Sequence, residues 1–76
     1  MKAAKIVSSF PKNALEEVRA QIVNYKGYDL IDLRVWALKK DGDGVVATKK
    51  GITLSIELLP ALKKAVLALE KEIKSG

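Results

Sequence analysis

The segment Tyr28–Leu38 alternates apolar and polar residues more regularly than any other part of the chain. Its apolar positions are Ile31, Leu33, Val35 and Ala37, and the residues between and beside them are Asp32, Arg34 and Trp36. Because successive side chains of a β-strand point to opposite faces of a sheet, one face of this segment is expected to be buried and the other exposed. The pattern therefore predicts a strand of an antiparallel sheet with one face in solvent.

Turn-forming residues divide the first two thirds of the chain into four predicted strands, over residues 5–10, 15–25, 28–38 and 45–54. The stretch Asn24-Tyr25-Lys26-Gly27 is typical of a hairpin turn, because Gly27 tolerates the positive φ that such a turn requires. Asp41-Gly42-Asp43-Gly44 predicts a second hairpin turn. Strands joined by such short turns predict an antiparallel meander.

The C-terminal part of the chain predicts one α-helix over about residues 56–74. Ser55 is a candidate N-cap, and Pro60 is tolerated only in a first helical turn, so regular helix is expected to begin near it. A helical apolar seam is formed by Leu59, Leu62, Val66, Leu69 and Ile73. Further apolar residues widen this seam beyond what one sheet face can cover.

The 76 residues predict a single domain, 1–76, of the α+β class. A core of this size seldom supplies more than about 3–5 kcal/mol without a disulfide, a metal or a second copy. The chain has no cysteine and no histidine, which excludes disulfides and zinc sites built from those residues. We therefore expect a homodimer joined through the C-terminal helix.

Enzyme activity, metals and cofactors are not expected. Without histidine the serines have no activating base, and the paired carboxylates have no catalytic partner residues beside them. Asp32 and Arg34 share a strand face and are expected to form an ion pair. The letters Gly42-Asp43-Gly44-Val45-Val46-Ala47 imitate a dinucleotide fingerprint, but a strand follows where that motif needs a helix.

The formal net charge of +5, from 14 Lys and Arg against 9 Asp and Glu, favours an acidic partner. No segment approaches the ~20 apolar residues that a membrane helix needs, and no signal peptide is expected. These features predict a cytoplasmic protein with no membrane partner.

Two basic stretches frame the strongest strand, one at Tyr25-Lys26-Gly27-Tyr28 and one at residues 48–54. Lysine and arginine bind phosphates, while tyrosine and tryptophan rings stack on unpaired bases. The candidate nucleic-acid-binding residues are Tyr25, Lys26, Arg34, Trp36, Lys49 and Lys50. The simpler interpretation is that the lysine pair is a solvated surface and the tryptophan belongs to the core.

From about Lys12 to about Ala68 the chain resembles the DNA-binding domain of the transcriptional positive cofactor 4 family, in its bacterial form. The resemblance is carried by the aromatic-Lys-Gly turn at Tyr25, the Ile-Asp-Leu-Arg core of residues 31–34 and the Lys-Lys-Gly-Ile-Thr-Leu run of residues 49–54. It implies a curved four-stranded antiparallel sheet followed by one helix, two copies joined through their helices, and single-stranded DNA lying across the paired sheets.

The resemblance also implies site residues. The turn aromatic corresponds to Tyr25 with Lys26 beside it, the strand arginine to Arg34, and the basic pair to Lys49 and Lys50. In animal members the base-stacking tryptophan lies one position later, where this chain has Ala37. Since neighbours on a strand face opposite ways, Trp36 either stacks on bases or packs internally.

The predicted function is a homodimeric, largely sequence-independent single-stranded DNA-binding protein. We expect it to act in transcription regulation, as a coactivator-like protein, or in DNA repair and recombination. The expected location is nucleoid-associated, with the transcription machinery as a further candidate partner. Two alternatives remain open at this point: a single-stranded RNA-binding protein, and a plain dimerisation module that binds no nucleic acid.

Overall fold

The computed structural model describes residues 4–75. The strands are β1 (Ala4–Pro11), β2 (Glu16–Tyr25), β3 (Tyr28–Leu38) and β4 (Val45–Ser55), followed by a 3₁₀ turn (Ile56–Leu58) and helix α1 (Leu59–Ser75). The sheet is antiparallel in the order β1-β2-β3-β4. The predicted fold class, a four-stranded antiparallel meander followed by one C-terminal helix, is confirmed. Residues 1–3 and 76 of the predicted domain lie outside the described part of the chain.

The hairpin between β2 and β3 fixes the register of the sheet. Lys26 and Gly27 form a two-residue turn with φ of 51° and 85°, closed by the pair Tyr25 and Tyr28. Positive φ at both central residues is the signature of a type I′ turn, whose twist matches that of the flanking strands. The pairing then continues without a bulge to Glu16 and Ala37. Side chains of β2 and β3 are therefore sorted consistently between the two faces.

The two faces differ in chemistry. What we call the apolar face carries directly opposed pairs, which are Val18–Val35, Ala20–Leu33 and Ile22–Ile31. What we call the polar face carries the alternate residues, which are Glu17, Arg19, Gln21, Val23, Tyr25, Tyr28, Leu30, Asp32, Arg34 and Trp36 on β2 and β3, with Thr53 on β4. The alternation predicted for β2 and β3 is thus present.

A bulge of three residues interrupts the pairing of β3 with β4. Arg34 pairs with Gly51 and Trp36 pairs with Ala47, so Val35 alone lies opposite Thr48, Lys49 and Lys50. We call these three residues the β4 bulge. The Thr48 hydroxyl donates to the Val35 carbonyl oxygen at 2.8 Å and accepts from the Lys50 backbone N–H at 3.2 Å. These bonds replace part of the ladder that the bulge removes.

Helix α1 begins where the proline permits it. The Ser55 hydroxyl accepts from the Glu57 backbone N–H at 3.4 Å, and the 3₁₀ turn delays the α-helix to Leu59, one residue before Pro60. Leu59 and Leu62 line a cavity of about 220 Å³ with side chains of the apolar face. Further along the helix, Val66 and Ile73 are 54% and 77% exposed, so only its first turns meet the sheet. Among residues 4–75, no helix is both long and apolar enough to cross a membrane.

Within residues 4–75 no hydrophobic side chain is buried, and the two buried residues are the polar Gln21 and Asp32. The radius of gyration is 14.4 Å, against about 11 Å for a compact domain of this length. Burying one exposed leucine or isoleucine would contribute roughly 1.5–3 kcal/mol. A single chain therefore leaves its apolar face and most of α1 uncovered.

Gly51 is the position beside the bulge where no side chain fits. A Cβ added there would lie 2.8 Å from the Arg34 Cα and closer still to the Leu33 carbonyl oxygen. Gly51→Ala is expected to lower the free energy of unfolding by about 1–3 kcal/mol, because β3 and β4 would have to move apart. Urea denaturation at fixed protein concentration measures this, and an unchanged midpoint would show that the two strands do not approach each other so closely.

Candidate nucleic-acid interface

The polar face extends from a pair of tyrosines to a tryptophan. Tyr25 and Tyr28 close the β2–β3 turn and are 57% and 73% exposed, whereas Trp36 lies at the far end of β3. Tyr28 and Trp36 are roughly 26 Å apart along the strand, at about 3.3 Å per residue. Lys26 lies at the turn with its Nζ 5.3 Å from the centre of the Tyr25 ring. This end of the polar face thus presents a cation beside exposed aromatic rings.

A hydrogen-bonded network at the middle of the polar face is centred on Asp32, which is only 6% exposed. Its carboxylate accepts from Gln21 Nε2 at 3.2 Å, from Thr53 Oγ1 at 3.1 Å and from Arg34 Nη2 at 2.9 Å. The predicted ion pair between Asp32 and Arg34 is therefore present. A buried carboxylate needs such partners, because desolvation penalises an unpaired charge. These contacts explain Asp32 as a structural anchor.

Arg34 connects this network to the β4 bulge. Its Nε donates to Asp32 at 3.1 Å, its Nη1 to the Thr48 carbonyl oxygen at 3.1 Å, and its Nη2 to both Asp32 and Thr53. A guanidinium group has five N–H bonds, and these contacts leave one of them, on Nη1, for a ligand. Arg34 thus stabilises the segment that carries Lys49 and Lys50 and retains little capacity of its own for a phosphate.

The charges at the middle of the polar face cancel. Arg19 and Arg34 lie directly opposite each other in the β2–β3 register, an arrangement of like charges that destabilises a sheet. Each arginine pairs with a carboxylate two residues away on its own strand, Arg19 with Glu17 and Arg34 with Asp32. The uncompensated positive charge of the candidate site therefore comes from lysines at its ends.

Those lysines are exposed. Lys49 and Lys50 lie in the β4 bulge, and Lys26 lies at the β2–β3 turn. The pKa of the Glu16 carboxyl is held below its usual range by hydrogen bonds from the Asn13 amide at 2.9 Å and Lys12 Nζ at 3.2 Å, with smaller contributions from the charges of Lys12 and Lys50. The bulge lies opposite Val35, near the end of β3 that is far from Lys26.

Trp36 is half-buried, and its ring lies beneath a cation. The Arg19 guanidinium carbon is 4.3 Å from the centre of the indole ring, within range of a cation–π contact. The indole Nε1 is buried and has no acceptor among residues 4–75. Trp36 also lines a cavity of about 210 Å³ with Leu15 of the β1–β2 turn and Glu17 at the start of β2. The ring therefore sits under Arg19 and against this turn rather than standing free on the surface.

Of the predicted site residues, Tyr25, Arg34 and Trp36 share the polar face, while Lys26 lies at its turn end and Lys49 and Lys50 in the bulge beside it. Four further residues contact Asp32 or the predicted site residues and were not predicted to belong to the site, namely Arg19, Gln21, Thr48 and Thr53. The turn at Lys26 and Gly27 could have identified Arg19, since counting outward from it places Arg19 opposite Arg34. Residues 4–75 contain no group of three or more Asp and Glu side chains placed to hold a metal ion.

Comparison with solved structures agrees with this architecture. Two crystal forms of BPSL1147, a PC4 homolog from Burkholderia pseudomallei K96243, align with this chain at TM-scores of 0.83 and 0.81 and 28% sequence identity. The alignments cover 92% and 90% of this chain and 93% and 98% of the solved chains.

A more distant structure shares the fold. It is the bacteriophage T5 homolog of the eukaryotic transcription coactivator PC4, which is implicated in recombination-dependent DNA replication. It aligns at a TM-score of 0.60 and 19% identity over 97% of this chain and 78% of its own. A search of curated proteins found no significant match.

A family model described as Transcriptional Coactivator p15 (PC4) matches residues 12–65, which is more than half of the chain. This match covers all of β2, β3 and β4 and the first turns of α1. The resemblance noted from the turn and strand motifs is thereby confirmed, and the chain belongs to the Transcriptional Coactivator p15 (PC4) family.

Proposed function

We propose that this chain is a homodimeric, largely sequence-independent single-stranded DNA-binding protein that acts in transcription regulation or in DNA repair and recombination. Family membership supports the proposal, as does the role in recombination-dependent DNA replication of the phage T5 relative. The observation that carries it is the polar face, where exposed aromatic rings lie at one end and two exposed lysines lie in a braced bulge at the other. A location in the nucleoid and contact with the transcription machinery belong to the same proposal.

The polar face suits a strand whose bases are unpaired. The exposed rings of Tyr25 and Tyr28 stack on bases, each such contact being worth roughly 1–3 kcal/mol and tolerant of sequence. Lys26, Lys49 and Lys50 neutralise phosphates and release counterions. Because Arg34 and Asp32 bond to Thr53 and Arg34 also bonds to the Thr48 carbonyl oxygen, the backbone that carries Lys49 and Lys50 is held against β3 before DNA binds.

Self-association belongs to the proposal because of the apolar surface that one chain leaves open. The apolar face of the sheet and the exposed seam of α1, including Leu69 at 63% exposure, need a cover that the chain does not supply. A second copy brings a surface of the same chemistry, and a two-fold dimer is the commonest closed arrangement. Two polar faces then extend the path available to one DNA strand.

The direct test is an anisotropy titration with a labelled oligothymidine of about 20 bases, a length suited to two modules. We expect the Kd to rise with salt, with a log-log slope of magnitude about 0.7 per phosphate contacted. Intact duplex is expected to compete poorly, and a matched RNA oligomer shows whether the sugar matters. Salt-independent binding, or equal affinity for intact duplex, would contradict the proposal.

The bulge lysines are expected to supply a large part of the electrostatic affinity. The double variant Lys49→Ala/Lys50→Ala should raise the Kd for oligothymidine and reduce the magnitude of the salt slope by about 0.7 for each phosphate that the variant no longer neutralises. The same titration repeated between 50 and 200 mM salt, the range over which roughly tenfold or larger changes are expected, measures both effects.

The matched control for this variant removes two exposed charges at the far end of α1. Lys71→Ala/Lys74→Ala lowers the net charge equally, and among residues 4–75 it breaks only an exposed Lys74–Glu70 ion pair. It is expected to leave the salt slope nearly unchanged. Equal effects of the two double variants would mean that net charge, and not the bulge, governs binding.

The turn tyrosine is expected to act through its ring. Tyr25→Leu should weaken oligothymidine binding by roughly 1–3 kcal/mol, since leucine offers no π-face to a base. Tyr25→Phe keeps the ring and should bind within a factor of about two of the original chain, so it serves as the control. If the leucine and phenylalanine variants bind equally well, stacking at this position is disproved.

A further inference from the structure

We infer that Arg19 is a phosphate-binding residue of the polar face, and that Trp36 and Glu17 are positioning residues that hold its guanidinium toward the strand. The inference rests on the proposed function and concerns a residue that neither the motifs nor the resemblance singled out. It follows from how the two arginines of the polar face use their hydrogen-bond donors.

In the described part of the chain, most N–H donors of Arg19 are free, whereas most of those of Arg34 are bonded to acceptors within the protein. Within residues 4–75, the only acceptor for Arg19 is the Glu17 carboxylate, which receives its Nε–H. The four N–H bonds of Nη1 and Nη2 have no protein acceptor there. Neither nitrogen is buried, so both remain accessible to a ligand. Arg34, in contrast, has one free N–H. Only Arg19 can therefore offer two parallel N–H bonds to one phosphate.

The surroundings of Arg19 fix the plane of its guanidinium. One side lies over the Trp36 ring at 4.3 Å, and the Nε edge is held by Glu17. Stacking on an aromatic ring and a bond at Nε together remove much of the rotational freedom that an arginine loses on binding a ligand. This arrangement also gives the half-buried Trp36 a role: it supports the cation instead of receiving a base.

The position of Arg19 on the sheet fits a backbone contact. It lies on the middle of β2, opposite Arg34, between the tyrosine end of the polar face and the β4 bulge. A DNA strand that runs from Lys26 along β3 to Lys49 and Lys50 passes beside β2, about 4.8 Å away at the inter-strand spacing, which is within reach of the long Arg19 side chain. The Glu17 side chain that pairs with Arg19 is 32% exposed and accepts the Nε–H, so it leaves the two Nη groups free for a phosphate oxygen.

The test compares two variants that each remove one positive charge. Arg19→Gln should raise the Kd for the labelled oligothymidine about tenfold and reduce the magnitude of the salt slope by about 0.7, as expected when one charge-assisted bond to a phosphate is removed. Lys71→Gln, on the exposed end of α1, should change neither quantity appreciably. Arg19→Lys retains the charge but not the planar fork, and should bind with intermediate affinity.

A double-mutant cycle separates support by Trp36 from direct stacking. Trp36→Leu should weaken binding in the original chain but have little further effect in the Arg19→Gln background, because its role is to position Arg19. Trp36→Phe keeps an aromatic face beneath the guanidinium and should restore most of the affinity. Additive effects of Trp36→Leu and Arg19→Gln would show that the indole contacts DNA itself and would overturn the positioning role.

The single tryptophan of the chain provides a readout that does not need DNA. If Arg19 covers the ring, Arg19→Gln should increase quenching of Trp36 fluorescence by acrylamide while urea unfolding of the variant remains cooperative. Unchanged quenching would contradict the stacked geometry. If the original chain binds oligothymidine with a clear salt slope and Arg19→Gln binds equally well, the inference is wrong and the proposed function stands. If the original chain does not bind, the proposed function fails and the inference fails with it.

Discussion

The structure depends on the sorting of side chains between the two faces of one sheet. The type I′ turn at Lys26 and Gly27 sets the pairing of β2 with β3, and no bulge disturbs that pairing along its length. A shift by one residue would exchange the faces, so the turn determines which residues meet solvent. The same register places both tyrosines, both arginines and the tryptophan on one face, and the aliphatic pairs Val18–Val35, Ala20–Leu33 and Ile22–Ile31 on the other.

The bulge in β4 turns this sorted sheet into a candidate binding surface. Gly51 allows β3 and β4 to approach closely, and the three residues before it, Thr48, Lys49 and Lys50, form the β4 bulge. Arg34 stabilises the bulge by donating to the Thr48 carbonyl oxygen, and the buried Asp32 neutralises the charge of Arg34. Arg34, the arginine that the strand motif suggests as a phosphate ligand, thus uses most of its N–H donors for bonds within the protein. Lysines at the margins, and Arg19 by our inference, supply the donors that remain free.

Much of the fold could be predicted from the sequence, because alternation and turn residues are local signals. The segment Tyr28–Leu38 has the predicted bounds, and the α-helix begins at Leu59, so that Pro60 lies in its first turn as the proline ring requires. The bulge could not be predicted, since its only sequence signal is Gly51 and the close approach there involves a neighbouring strand. The environment of Trp36 could not be predicted either, because the cation over its ring is Arg19 of β2, which the β2–β3 register brings beside it.

The central claim is that a second copy covers the apolar face and so leaves the polar face to the ligand. The most direct test follows the urea unfolding midpoint over a hundredfold range of protein concentration. A dimer whose subunits lack a buried core should unfold at a higher urea concentration as the protein concentration rises, since association stabilises the folded state by mass action. A midpoint that does not change, with a folded species of 8.3 kDa throughout, would contradict the account.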